Sequence, residues 1–191
     1  MKTIVVVGVG ALGSHVVQAL RNVEATLRVI DFDRVEQRNV ASQFHGKPNV
    51  GKLKVQSLQQ SMKFLFGRDI GIVSHKLVTD NVKELLGKAD LLLDCLDNGA
   101  ARRLVQQFAR TSSTACLHGA LDAQGSFGRV VWDESFVIDD EGVAGAATCE
   151  DGAHLPFITV VAANLAYSAQ RFLRDGRKVG FEISPGGSIR T

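Results

Sequence analysis

The stretch TIVVVGVGALGSHVVQAL, residues 3–20, constrains this chain more than any other. The β-branched run from Thr3 to Val7 reads as a strand covered on both faces, because a strand with one wet face would alternate apolar and polar residues. It runs directly into Gly8, Gly10 and Gly13 at G-x-G-x-x-G spacing, and then into a helical pattern with Leu12, Val16, Ala19 and Leu20 on one face. In a turn of this kind Gly8 permits the tight bend, Gly10 lets an anion approach the backbone, and Gly13 lets the helix pack close to the strand. The helix N-terminus then presents unpaired N–H groups to that anion. The spacing alone is common. With a strand before it, a helix after it and an acid, Asp31, closing the next strand, it becomes a nucleotide signal. The plain alternative is a glycine turn that serves backbone geometry only.

The rest of the chain continues the same rhythm. TLRVID is a second strand ending at Asp31, and VGKLKVQSLQQSMKFLF is an amphipathic helix with Val55, Leu58, Met62, Leu65 and Phe66 on one side, closed by Gly67. IGIVSHKLV reads as a third strand, and TDNVKELLGKA as a short helix capped by Thr79 or Asp80. DLLLDCLD, NGAARRLVQQFARTS and TACLHGAL give another strand, helix and strand. The pattern then changes: QGSFGRVVW reads as a β-ribbon, DDEGVAGAAT as a Gly/Ala-rich loop, and residues 154–173 as a long helix. Its buried stripe is Ile158, Val161, Ala162, Leu165, Ala166, Ala169, Phe172 and Leu173, and one more strand is expected in the tail. Alternating strands and helices predict an α/β fold, a Rossmann-like, doubly wound and mainly parallel sheet with a C-terminal antiparallel extension and a long C-terminal helix. Residues 1–191 read as a single nucleotide-binding domain. Right-handed crossovers would bring Asp31, Asp94 and Asp97 to the rim where the glycines turn.

Composition removes several classes of function. With 45% hydrophobic and 22% charged residues, and 22 Lys+Arg against 20 Asp+Glu, nothing favours a nucleic-acid surface or a polybasic membrane patch. The first apolar run is broken by Gly8 and Gly10, too early for a signal sequence or a membrane span, so a cytoplasmic protein is expected. Cys95, Cys116 and Cys149 are widely spaced with no C-x-x-C pair, so neither a disulfide framework nor a structural zinc site is indicated.

The segment DFDRVEQRNVASQF, residues 31–44, sets the central question. Asp31 alone would suit the ribose of a dinucleotide, and a nicotinamide oxidoreductase is one reading. That reading gives no role to Asp33, Asn39, Gln43, Lys54 or the DCLDN cluster.

Taken together these blocks resemble the ThiF/MoeB/HesA family, the bacterial relatives of ubiquitin-activating enzymes. The likeness rests on VVGVGALGS, IDFDRVEQRNVASQ, VGKLKVQ and ADLLLDCLDNGAAR, with a weaker fifth block in TCEDGAHLPFITVVAANLAYSAQRFL. The resemblance implies a protein that binds ATP and Mg2+ and adenylates the C-terminal glycine of a small ubiquitin-like or sulfur-carrier protein, as a homodimer. It implies that Gly8, Gly10, Ala11, Leu12 and Gly13 lie along the nucleotide, that Asp31 holds the ribose, and that Asn39 and Lys54 face the phosphates. Asp33 would shape the loop, Gln43 and Asn98 would complete the nucleotide site, Arg102 matches the arginine that closes the fourth block, and Asp97 would hold Mg2+ and act on the reacting phosphate. The chemistry is coherent: a carboxylate attacking the α-phosphorus is already ionised at neutral pH, so it needs cations and donors around the phosphates but no general base.

The chain departs from the family pattern at Ser42, which stands where an arginine is expected; serine supplies neither the charge nor the fork of donors. Arg38 is close enough to substitute, with Lys52 assisting Lys54, or either is a solvated surface charge. A nucleotide-binding scaffold without turnover is therefore a second reading. Cys149 aligns with a position that forms covalent adducts in some relatives, although Glu150 and Asp151 beside it would raise its pKa; an inert thiol is the alternative. Cys95 and Cys116 read as core residues, His118 as a candidate for lining the site and His15 as a helix-surface residue. Asp94 would orient Asn98 or the metal, or cap the next helix.

Overall fold

The computed structural model describes residues 1–122, 124–138 and 152–191. Its strands are β1 (Thr3–Val7), β2 (Thr26–Ile30), β3 (Gly71–Val73), β4 (Leu91–Asp94), β5 (Ala115–Leu121), β6 (Gly128–Trp132), β7 (Phe181–Ser184) and β8 (Gly187–Arg190). Its α-helices are α1 (Ala11–Ala19), α2 (Lys54–Phe66), α3 (Val82–Leu86), α4 (Gly99–Ser112) and α5 (Leu155–Asp175). The strands form one sheet in the order β3-β2-β1-β4-β5-β6-β7-β8. Pairing is parallel from β3 to β5 and antiparallel from β5 to β8, so the mainly parallel sheet carries the expected antiparallel extension.

The period of two along each parallel strand sorts its residues onto two helix layers. Ile4, Val6, Leu91 and Leu93 face one core with Val16, Leu58, Met62, Val161 and Leu165 from α1, α2 and α5. Val5, Val7 and Leu92 face the other, with Leu86 of α3 and Val105 of α4. Continuously apolar strands are what a sheet covered on both faces requires. The order reverses beside β1: β2 lies on one side and β4 on the other, so the crevice at their carboxyl ends is the place where ligands bind in open α/β sheets.

Four local expectations are corrected. The third strand is confined to Gly71–Val73, and the chain leaves the sheet from Ser74 onward. The short helix starts after Asn81 rather than at Thr79 or Asp80; the Asn81 side chain accepts from the Val78 N–H and donates to the Lys76 carbonyl, closing a turn in front of the helix. The tail forms a hairpin, β7 and β8, instead of one strand. Along α2, Val55, Leu58 and Met62 are buried, but Leu65 and Phe66 are exposed because the helix outruns the short strand β3 beside it. Gly67 does end α2 in the left-handed conformation, with φ 63°. No described helix is long and apolar enough to cross a membrane.

Candidate functional site

The glycine turn divides its labour by contact. Gly8 has φ +86°, and a β-carbon there would sit 2.9 Å from the Cys95 carbonyl oxygen. The turn is thus pressed against the loop that follows β4. A β-carbon on Gly13 would lie 1.9 Å from the Gly8 carbonyl oxygen, so the first turn of α1 is stacked directly on the strand end. Gly10 differs: a β-carbon there meets only the Gln43 Nε2, at 4.0 Å. Among the described residues its backbone faces open space roofed by that amide, as an approaching anion would require. Gln43 Oε1 is buried and has no hydrogen-bond partner among the described residues.

Asp31, at the end of β2, fastens the turn to the following loop. Its two carboxylate oxygens each accept a backbone N–H, from Val9 and from Asp33, both at 2.8 Å. Burial raises its pKa, opposed by the Val9 hydrogen bond and by the charge on Lys54. The loop then folds on itself as a 3-10 turn, Gln37–Ala41, in which the buried Asn39 side chain accepts the Glu36 N–H. Lys54 opens α2; its backbone N–H donates to the Asp33 carbonyl and its Nζ lies 3.1 Å from Asp33 Oδ2. The ammonium is nearly buried, with a side-chain exposure of 10%, while Asp33 is half exposed. Arg38 pairs with Glu36 at 2.6 Å on the surface, and Lys52 hydrogen-bonds Asn49 and Gln60.

Ser42 is buried at 1% exposure, and its hydroxyl lacks a partner among the described residues. The surrounding loop is zipped to α1: His15 bonds the Ser42 carbonyl at 2.9 Å, and the Ser14 hydroxyl accepts the Phe44 N–H. His45 is buried between the Val9 carbonyl and Ser57 Oγ. Burial lowers its pKa to about 4. His15 is thus part-buried and holds the loop, where the sequence suggested a surface residue.

On the other side of the turn, Asp97 and Asn98 are exposed just beyond β4. Asn98 caps α4, accepting the Ala101 N–H at 2.8 Å. Asp97 has no side-chain partner among the described residues, in contrast to the acids around it. Asp94 and His118 correct the sequence reading. Asp94 is fully buried and accepts from His118 Nδ1 at 2.7 Å and from the Leu96 N–H at 3.0 Å; among the described residues it makes no hydrogen bond with Asn98, which caps α4 in its place. His118 is fully buried between Asp94 and Asp133, beneath the rim. Arg102 donates to the carbonyls of Leu96 and Gly119. Cys95 and Cys116 are buried thiols, and burial pushes both pKa values well up, which leaves them inert. Cys149 lies outside the described residues.

The sequence reading missed Asp133, His45 and Ser14. Their partners are strands or helices away, and only Ser14, one residue beyond the third glycine, carried a local hint. A depression of ≈ 580 Å3 bordered by Gln59, Gln60, Lys63, Phe64 and Asp69 lies toward the far end of α2 and shares no residue with this rim.

Comparison with known proteins agrees with this architecture. Residues 1–179 match the ThiF family. The chain is 30% identical over 182 residues to the adenylyltransferase and sulfurtransferase UBA4 of Lodderomyces elongisporus, covering 89% of this chain and 40% of that protein. It is 32% identical over 122 residues to the SAMP-activating enzyme E1 of Haloferax volcanii, covering 62% of this chain and 45% of that one. Among solved structures, E. coli MccB with ATP superposes over all of this chain and 62% of its own, with TM-score 0.74 and 15% identity. PaaA does so with TM-score 0.78, 17% identity and 64% of its own chain. At these identities the solved structures speak for the fold alone. The chain spans less than half the length of these curated relatives.

Proposed function

The chain belongs to the ThiF family, and from that premise we propose that it binds Mg·ATP at the rim between β1, β2 and β4 and adenylates the C-terminal glycine of a small ubiquitin-like or sulfur-carrier protein. The observation that carries the reading is the convergence of three separate segments on one sheet edge. The glycine turn packs on the Cys95–Leu96 loop, Asp31 is bonded into that turn, and Lys54 is held at the same edge by Asp33.

Each residue then has a task. The backbone of Gly10, Ala11 and Leu12, at the start of α1, receives phosphate, since helix N-termini favour anions. Asp31 keeps lone pairs for ribose hydroxyls beyond those facing Val9 and Asp33. Lys54 uses one donor on Asp33, and its ammonium has others for phosphate. Gln43, with an orphaned Oε1 beside Gly10, has an acceptor ready for a ligand donor. Among the described residues no three His, Cys, Asp or Glu side chains gather into a metal cage. That suits Mg2+, which is commonly held by one or two carboxylates together with substrate phosphates. Asp97, an acid at the rim with no side-chain partner among the described residues, is the residue that would hold it, and the ion would offset phosphate charge. The carrier's terminal carboxylate attacks the α-phosphorus, an oxygen–phosphorus bond forms, and the bond to pyrophosphate breaks; the chain's donors and cations lower the repulsion between the two anions.

A second reading, a nucleotide-binding scaffold without turnover, is favoured by the cations. Arg38 and Lys54 each already face an acid, and the buried position of Ser42 leaves little room for an arginine. ATP–pyrophosphate exchange with a carrier ending in Gly-Gly separates the two. Exchange by the wild type, abolished in Asp97→Ala while Mg·ATP still raises the melting temperature, supports adenylation. Mg·ATP binding with no exchange from any cognate carrier sinks it in favour of the scaffold, and stabilisation by NAD instead of ATP sinks both.

A further inference from the structure

We infer that His118 is a positioning residue for the loop that presents Asp97 and Asn98, acting from beneath the rim through Asp94. The purpose of the loop rests on the adenylation reading; the contacts do not. Asp94 and His118 are register partners on β4 and β5, and the peptide of Leu96, next to Asp97, is gripped on both sides. Its N–H donates to Asp94 Oδ1 at 3.0 Å, and its carbonyl accepts from Arg102 Nε at 2.8 Å and from Arg102 Nη2.

The distances decide what aims Asp94. Arg102 spends its guanidinium on the Leu96 and Gly119 carbonyls, and its nearest approach to Asp94 is 3.6 Å, beyond a good hydrogen bond. His118 Nδ1 supplies the short contact, 2.7 Å from Asp94 Oδ2. The ring is fixed in turn. Nε2 faces Asp133 Oδ1 at 3.1 Å, Arg110 Nε holds Asp133 Oδ2 at 2.8 Å, and Phe136 stacks on the imidazole with centroids 4.0 Å apart. His118, Asp94 and Phe136 are all buried, so water cannot replace a lost partner cheaply. A chain of side chains thus runs from Arg110, half exposed on α4, through Asp133, His118 and Asp94 to the N–H of Leu96, the residue before Asp97. A histidine needed only to fill the core would not have to be tied through one nitrogen to the residue that orients this loop and through the other to a second acid, Asp133.

The test uses the full chain with His118→Gln, Asp94→Asn and the double variant. In exchange assays, His118→Gln should lower kcat tenfold or more while KM for Mg·ATP changes less than threefold. Asp94→Asn should give a similar loss, and the double variant no further one. In spectra of the nucleotide-free protein, the backbone amides of Leu96, Asp97 and Asn98 should shift in His118→Gln. A folded His118→Gln with unmoved loop amides, or losses in kcat that multiply in the double variant, overturns the inference. If His118→Gln does not fold, Asp133→Asn loosens the ring from its outer side, and unmoved loop amides in that variant overturn it equally. Should the wild type exchange with no carrier, the adenylation reading falls, while the amide shifts still decide whether His118 sets the loop.

Discussion

Adding one methyl group at each of two glycines five ångströms or so apart along the first helical turn should have opposite consequences. Gly13→Ala places a β-carbon 1.9 Å from the Gly8 carbonyl oxygen and 3.1 Å from Cys95 Cβ. Ordinary contact begins at 3.4 Å, so α1 and the strand end must part by more than an ångström, and backbone cannot swing away as a side chain can. Overpacking commonly costs about 1–3 kcal/mol where side chains adjust; a backbone clash at the base of the sheet should reach about 3 kcal/mol or more. At roughly 2–4 °C per kcal/mol for a chain of this size, the midpoint falls by about 6–12 °C. Among the described residues Gly10→Ala meets only Gln43 Nε2, at 4.0 Å, and φ there is −76°, outside the left-handed region that favours glycine. Its midpoint should stay within about 3 °C, the small loss being that of a poorer helix cap. The added methyl stands where phosphate must approach, so Mg·ATP affinity should fall at least tenfold. Differential scanning calorimetry gives the midpoints and titration calorimetry the affinities. A Gly13→Ala protein that melts with the wild type refutes the packing argument, and a Gly10→Ala protein that binds Mg·ATP normally refutes the placement of the phosphate.

Two further outcomes follow from single contacts. Burial holds the pKa of His45 at about 4, below its ordinary 6.5, so the unfolded chain takes up a proton first as pH falls. Its share of stability is complete above pH 6.5 and is lost between 6.5 and about 4; by pH 5 the loss is about 2 kcal/mol. His45→Gln should flatten the fall in stability between pH 7 and 5, and a denaturation series with equal slopes for both proteins would contradict the assignment. Asn98→Ala removes the cap of α4 and should cost about 1 kcal/mol in urea unfolding with an unchanged m-value; no loss of stability would mean the cap is idle.

The rim was largely legible as a list and largely illegible as an arrangement. The glycine spacing, Asp31 and Lys54 are local signals: a strand, a turn and a helix start each leave a mark within a few residues. Asp94 read as a cap or a metal partner because it precedes a helix, a position from which short acids often bond to the turn ahead. Its true partner, His118, lies across a strand pair, and no spacing along the chain announces a parallel register. Ser42 read as a gap in a cationic clamp; its burial adds that the gap is filled by packing, which is a tertiary fact. The third strand shrank and the tail doubled because sheet membership depends on which neighbour offers an unpaired edge.

By itself, then, the sequence determined the architecture: continuous apolar runs alternating with segments of a roughly four-residue period, broken by glycines, leave few other ways to bury this much aliphatic surface. It also marked which residues carry charge toward a phosphate. The tertiary structure alone decided which of those charges are already taken. Asp33 holds Lys54, Glu36 holds Arg38, and His118 holds Asp94, whereas Asp97 stands unpartnered among the described residues. Electrostatic pairing depends on distance through space, and a chain encodes that distance only once it has folded.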